Sequence, residues 1–225
     1  MTYLAVFDWN GTLFDDMEAT HIGTNESLAF FGKDPITIEE EQEAFTFPLI
    51  HFYEKMGIDV DEYLAHAQEV GNIFLQAYER ENIKCGLAEG TLETLDWLRG
   101  HGVACKILSN HRQENLLADV KRFGIDHYFE AISGNENPST LVKGLSKLKR
   151  LQSYMEENGY SADKTFIIGD SHEEPELARK TGILGISISG GLLSPRRLEH
   201  YKKDYVIDSL SELPAILSRE WNLAL

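Results

Sequence analysis

The chain has 225 residues, 42% of them hydrophobic, which is enough for one sizeable core with a smaller insertion. Its formal net charge of -16 offers no basic field to recruit a polyanion, which argues against nucleic acid as the main partner, whereas a small phosphorylated substrate stays compatible through local donors and a cation. Two cysteines, Cys85 and Cys105, form neither a disulfide framework nor a ligand cluster, and neither a membrane-length apolar run nor a signal-like N-terminus is present, so a soluble, cytoplasmic protein is expected.

The first predicted element is Tyr3-Leu4-Ala5-Val6-Phe7, an apolar run too continuous for a strand with one wet face and therefore a buried central strand. It ends at Asp8, at the carboxyl end of the strand, where open α/β sheets bind ligands, and Gly11 allows a tight turn that brings backbone N–H groups near an anion. Asp15 and Asp16 then start a helix that reaches Phe30-Phe31 and closes at Gly32. From there to about Asn82 the strand pattern disappears. Pro35 breaks the chain, and Thr37 caps a helix whose first turn carries Glu39, Glu40, Glu41 and Glu43, a run read as a solvated helix start rather than a metal site. Pro48 opens a run through His51, Phe52 and Tyr53. Asp61 starts a long amphipathic pattern with Leu64, Ala67, Val70, Phe74, Leu75 and Tyr78 on one side. His21, His51 and His66 lack ligand spacing and read as packing or surface residues, with His21 and His51 as weak candidates for substrate contact. Several helices inserted between strands suggest a helical cap.

From Gly86 the βα alternation returns: helix Glu89 to Leu98, strand Val103 to Leu108, helix Gln113 to Phe123, strand Phe129 to Ile132, a helix ending at Asn158-Gly159, strand Thr165 to Ile168, helix Pro175 to Lys180 and strand Ile183 to Ile188. Gly190-Gly191 reads as a loop. Such units give an α/β, Rossmann-like doubly wound parallel sheet with helices on both faces. The expected division is a catalytic core over 1–15 and 84–225 and a helical cap domain over 16–83.

Four stretches carry chemistry-bearing residues in a telling order: Asp8-Trp9-Asn10-Gly11-Thr12-Leu13, Ile107-Leu108-Ser109-Asn110, Ser146-Lys147-Leu148-Lys149-Arg150, and Gly169-Asp170-Ser171-His172-Glu173-Glu174 after an apolar strand. Together they resemble the four motifs of the haloacid dehalogenase superfamily, phosphoglycolate phosphatase-like, and the likeness extends to 204–210. The resemblance implies a phosphatase that forms an aspartyl-phosphate on Asp8. It implies a Mg²⁺ ion held by Asp8, Asp170, Glu174 and the backbone carbonyl of Asn10. Ser109 and the backbone N–H groups of Trp9, Asn10 and Asn110 would hold the phosphoryl oxygens, and Lys147 would neutralise charge; Lys143 and Lys149 lie close by, and Lys147 is preferred as nearest the inferred helix start.

The departure from the pattern is Asn10, where phosphatases of the family usually have an Asp that works as acid and base. Asn has no proton to exchange. The resemblance therefore leaves three expectations: a phosphatase with help from elsewhere or with a leaving group that needs no proton, such as an acyl phosphate; a phosphonate hydrolase using a cap lysine, Lys33 or Lys55; or a protein that binds a phosphorylated ligand and Mg²⁺ with little turnover. A dehalogenase is disfavoured, since the acidic pair would have no purpose.

Overall fold

The computed structural model describes residues 2–135 and 146–224. Its main sheet has six strands, β1 (Leu4–Phe7), β4 (Ala104–Arg112), β5 (Phe129–Asn135), β6 (Thr165–Gly169), β7 (Leu184–Ile188) and β8 (Tyr205–Ile207), all parallel and in the order β5-β4-β1-β6-β7-β8. Every residue of β1 is buried, as its unbroken apolar run predicts. Successive side chains face opposite sides of the sheet. Ala5 and Phe7 join Ile107, Phe166 and Ile168 in one core, while Leu4 and Val6 join Leu108 and Ile167 in the other.

Helices cover both faces. Leu95 and Leu98 of α5 (Thr91–Gly100), Leu116 and Val120 of α6 (Gln113–Arg122) and Leu217 of α10 (Leu213–Trp221) pack on the first face. Leu151 and Met155 of α7 (Ser146–Asn158) and Leu177 and Ala178 of α8 (Glu173–Thr181) pack on the second. The strands and helices expected from the βα alternation are all found, most with ends shifted by a residue or two, β4 and β5 running further at their C-terminal ends. β8, α10 and α9 (Pro195–Tyr201) are additional, and α10 buries Leu213, Ile216, Leu217 and Trp221 on one side.

Between β1 and α5 the chain forms four helices, α1 (Met17–Phe30), α2 (Ile38–Ala44), α3 (Leu49–Lys55) and α4 (Val60–Asn82). They leave and rejoin the sheet at one place, where β2 (Phe14–Asp15) pairs antiparallel with β3 (Gly86–Leu87). Their own apolar cluster contains Leu28, Phe45, Phe52, Tyr53, Ile58 and Val70, and is completed from the other part of the chain by Leu193 and Leu198. Gly23 lets α1 approach α4, since a Cβ there would meet the Phe74 ring at 2.9 Å.

Several local expectations change. Thr37 does cap α2, in a reciprocal pair with Glu40. Of the acidic run, however, Glu41 is buried, accepting from Thr24 Oγ1 at 2.6 Å and meeting His21 Nδ1 at 2.6 Å, while Glu43 bridges to Ser194 and Arg196. His21 is thus held inside the helical cluster. His51 faces Glu54 at the surface. The cap of α4 is Asp59, not Asp61: it accepts from the N–H groups of Asp61 and Glu62. Leu64 and Leu75 of the supposed apolar side are exposed. Among the described residues no helix is long and apolar enough to cross a membrane.

Candidate active site

Parallel neighbours end together, so the order β4-β1-β6 delivers Ser109, Asp8 and Asp170 side by side at the carboxyl edge of the sheet. Asp8 N–H still donates to Ile168 O at 2.9 Å, which fixes its backbone one step beyond the ladder. α8 begins just after β6 and turns Glu174 back beneath the strand end. Asp8, Asp170 and Glu174 each offer a carboxylate oxygen, all within 4.8 Å of one another.

The packing around these carboxylates depends on glycine. A Cβ on Gly169 would sit 2.3 Å from Glu174 Cδ, and a Cβ on Gly11, whose φ is +63°, would sit 2.2 Å from Asp170 Oδ2. Gly191 closes the other side of Asp170, and the N–H of Leu192 donates to Asp170 Oδ2 at 2.7 Å. The loop read from sequence as a plain connection is therefore one wall of the site.

Half-buried Asp8 and the buried Asp170 and Glu174 repel one another, which shifts where they hold their protons. Burial pushes the Asp8 carboxyl up to about 6, Lys147 opposing the rise and Glu174 adding to it. Burial, then the charges of Asp8 and Glu174, hold Asp170 well above the carboxylate range. Burial pulls Glu174 the same way, but the charge and hydrogen bond of Lys147 prevail and hold it below its ordinary value. Lys147 is 2% exposed, with Nζ 2.6 Å from Glu174 Oε1, 3.1 Å from Asp8 Oδ2 and 3.8 Å from Glu173 Oε2. Burial alone would favour a neutral amine; the three carboxylates overrule it and keep Lys147 an ammonium. One ammonium among these carboxylates leaves a net negative pocket of hard oxygen donors, which suits a small divalent cation. Lys149 is exposed, and Lys143 lies outside the described residues.

Asn10 has partners that the sequence did not suggest. Its Nδ2 donates to Asp16 Oδ2 at 2.6 Å and to Tyr78 Oη at 2.9 Å, and Tyr78 Oη donates to Asp16 Oδ2 at 2.6 Å. Gly11 N–H donates to Asp16 Oδ1 at 2.8 Å. Asp16 occupies the N-cap position of α1 but makes no side-chain cap bond there; its carboxylate is turned to the Asn10 loop instead. Burial raises its carboxyl above the ordinary range, against the pull of the donors from Tyr78, Asn10 and Gly11.

A sequence model of the haloacid dehalogenase-like hydrolase family matches residues 5–188. The chain belongs to the haloacid dehalogenase-like hydrolases. It is similar to a phosphoglycolate phosphatase of Pseudomonas fluorescens, 28% identical over 93% of this chain and 78% of that one, and to a phosphoglycolate phosphatase of Synechococcus elongatus, 23% identical over 92% and 93%. Such relatives, spanning nearly all of the chain, set it among the phosphatase-type hydrolases. The crystal structure of a predicted phosphatase from Clostridium acetobutylicum shares its fold, with TM-score 0.76 at 22% identity over 97% of this chain and all of that one. So does the protein tyrosine kinase A of Mycobacterium tuberculosis, with TM-score 0.75 at 19% identity over 96% and 98%, so the fold alone does not fix the chemistry.

Within this haloacid dehalogenase-like hydrolase the structure brings Asp8, Lys147, Asp170 and Glu174 together, with Asn10 two residues beyond Asp8 and Ser109 on the neighbouring strand, and gives Trp9 and Asn110 partners of their own. Trp9 N–H donates to Asp8 Oδ1 at 2.8 Å, and the Trp9 indole is buried against Phe14. Asn110 Nδ2 donates to Glu173 Oε2 at 2.7 Å. Ser109 is buried, and its Oγ accepts from His111 N–H at 3.1 Å, which leaves its own hydrogen free to donate. Arg150, unremarked in the sequence, ties the Ser109 carbonyl and the end of β5 to α7. Lys33 and Lys55 lie at the surface of the helical segment, donating to the carbonyls of Gly57 and Ala44.

His111 supplies a pH prediction. Burial, helped by Arg112, pulls its imidazole down to about 4; among the described residues its Nε2 has no hydrogen-bond partner, the nearest carboxylate, Asp119, lying 3.8 Å away. The unfolded chain takes up this proton near pH 6.5 and the folded chain only near 4, so stability falls as pH drops between those values, by about 3 kcal/mol at the acid end. His111→Gln is expected to flatten that part of the melting-temperature profile; a profile parallel to the wild type would refute the assignment.

Proposed function

We propose that this chain is a Mg²⁺-dependent phosphatase of a small phosphorylated metabolite, working through an aspartyl-phosphate on Asp8. The observation that carries the reading is the convergence of Asp8, Asp170 and Glu174 within 4.8 Å of one another, with the buried Lys147 ammonium against Asp8 and Glu174. Asp8, Asp170, Glu174 and the Asn10 backbone carbonyl would hold the Mg²⁺, which when bound neutralises charge on the phosphoryl group. Glu174 would reach it directly or through water.

The chain's own residues do the rest. Asp8 is ionised above about pH 6 and is the nucleophile. Lys147, 3.1 Å from Asp8 Oδ2, screens the nucleophile from the phosphoryl oxygens, and the Ser109 hydroxyl donates to one of them. Residues 16–83 act as a cap over the core formed by 1–15 and 84–225, closing the cleft against water. Free Cys85 and Cys105 suit a reducing, cytoplasmic setting.

The test is phosphate release from p-nitrophenyl phosphate and acetyl phosphate, with and without Mg²⁺, with Asp8→Asn as the blank. Mg²⁺-dependent release that vanishes in the blank is the expected result. Release equal to the blank on both substrates would overturn the reading in favour of a ligand-binding protein.

A further inference from the structure

The titratable groups described around Asp8 are all committed. Asp170 and Glu174 would hold the cation, Lys147 is shared by Asp8 and Glu174, Glu173 accepts from Asn110 Nδ2 at 2.7 Å and faces Lys147, and His111 is held as a neutral imidazole. Asn10, two residues from the nucleophile, has a carboxamide that neither gives nor takes a proton. Its orientation is nevertheless fixed. Asp16 Oδ2 only accepts, and it lies 2.6 Å from Asn10 Nδ2; turning the carboxamide over would set Oδ1 against that carboxylate. Tyr78 Oη spends its hydrogen on Asp16 and so presents a lone pair to Nδ2 as well. Both neighbours therefore select the same end of the amide. Oδ1 is left as the open end, with no donor on it among the described residues.

This arrangement has a chemical consequence. An alkyl phosphate releases an alkoxide that must be protonated as the P–O bond breaks, whereas an acyl phosphate releases a carboxylate that leaves as the anion. We propose that Asp16 and Tyr78 are positioning residues that lock Asn10 to hold the hydrolytic water through Oδ1, and that the substrates are acyl phosphates rather than alkyl monoesters. The proposal rests on the phosphatase reading above.

In the first step an Asp8 carboxylate oxygen bonds to phosphorus, and the bond to the leaving carboxylate breaks with its electron pair; no proton moves. In the second, water oxygen bonds to phosphorus and the electron pair of the breaking bond returns to Asp8. One water proton stays on the attacking oxygen and the other passes to a phosphoryl oxygen, so dihydrogen phosphate departs. The second step is the one Asn10 serves, because only there is a water to be held.

Rates with Mg²⁺ on acetyl phosphate and on 2-phosphoglycolate, an alkyl monoester, test this directly. Acetyl phosphate is expected to have a kcat/KM at least about a hundredfold higher, the scale of one missing acid catalyst. The exchange Asn10→Asp with Asp16→Asn keeps one carboxylate against one amide while restoring an acid at position 10. It is expected to raise turnover of phosphoglycolate by about a hundredfold and narrow the ratio. Tyr78→Phe is expected to slow steady-state turnover of acetyl phosphate by about tenfold, one hydrogen bond's worth, at unchanged KM and with the burst of the first transfer intact.

Wild-type turnover of phosphoglycolate within tenfold of acetyl phosphate would overturn the substrate assignment and leave the phosphatase reading standing. So would an exchange variant whose ratio does not change. Loss of burst and steady state together in Tyr78→Phe would make that residue merely structural and overturn the positioning role. Absence of any Asp8-dependent release would be the failure of the phosphatase reading itself, and would take this proposal with it.

Discussion

Replacing Lys147 with methionine is expected to lower kcat by about a hundred- to a thousandfold, the usual cost of losing one fixed charge partner at a phosphoryl site. The same change should destabilise the fold by about 3–5 kcal/mol at pH 7.5, because a buried ion pair broken on one side leaves its partners uncompensated. Both effects have one origin. Glu174 is fully buried and held below its ordinary range chiefly by the ammonium 2.6 Å away, with a smaller pull from the Ser171 hydroxyl. Without that charge, burial and the neighbouring carboxylates would set its behaviour, and its carboxyl would rise as those of Asp8 and Asp170 already do.

The sign of the pH dependence follows. A carboxyl whose folded-state value is raised binds its proton more tightly in the folded than in the unfolded chain, so stability is lost as pH rises through that range and recovered as it falls. The melting temperature of Lys147→Met should therefore approach the wild type between pH 7.5 and 5, and added Mg²⁺ should recover part of the difference at pH 7.5. A variant destabilised equally at both pH values, with no response to Mg²⁺, would mean that Lys147 serves packing and not charge balance.

The parts of this site legible in the sequence are those at strand ends. Val6-Phe7-Asp8 and Ile167-Ile168-Gly169-Asp170 are apolar runs stopping at a carboxylate, and burial of the run fixes where the carboxylate must lie. Lys147 was separable from Lys149 by its place at the helix start, and the structure buries the first while exposing the second. The illegible parts are contacts between residues that are distant in sequence. Asp15-Asp16 looked like a helix start, yet the Asp16 carboxylate is used 62 residues away by Tyr78. Tyr78 itself fitted an apolar helix stripe, because its ring is buried and only its hydroxyl is polar. The acidic run of α2 concealed two different residues: Glu41, drawn inside by Thr24 and His21, and Glu43, fastened to Ser194 some 151 residues on. No local propensity distinguishes these outcomes, since each depends on which side of a helix meets another part of the chain.

Gly191 is the clearest such case, and Gly191→Ala is expected to cost about a hundredfold in kcat with the fold intact. Nothing about Gly190-Gly191 in the sequence requires more than a turn. In the structure a Cβ at position 191 would lie 2.0 Å from Asp170 Oδ2, 2.5 Å from Asp170 Cβ and 2.6 Å from Asp170 Cγ. No side chain fits there unless Asp170 or the loop moves. Asp170 has little room, being 2% exposed with Gly11 against its other side. The loop is no freer. Its Leu192 N–H holds Asp170, its Gly191 carbonyl accepts from Gln42 Nε2 at 2.7 Å, and Leu193 completes the apolar cluster of the helical segment. Either response shifts a carboxylate of the proposed metal site by something near an ångström, and a misplacement of that size costs about a hundredfold in a positioned reaction. The half-saturating Mg²⁺ concentration should rise at least about tenfold, since the hard, compact ion tolerates little change in its oxygen ligands. Gly71→Ala is the matching control: the position lies within α4, a Cβ there meets nothing, and the substitution should stabilise the protein by about 0.5–1 kcal/mol while leaving activity unchanged. Steady-state rates across a Mg²⁺ titration, with far-ultraviolet circular dichroism to show the fold, decide the matter. Wild-type kcat and Mg²⁺ response in Gly191→Ala would show that the loop yields without moving Asp170, and that its closeness to the carboxylate is incidental.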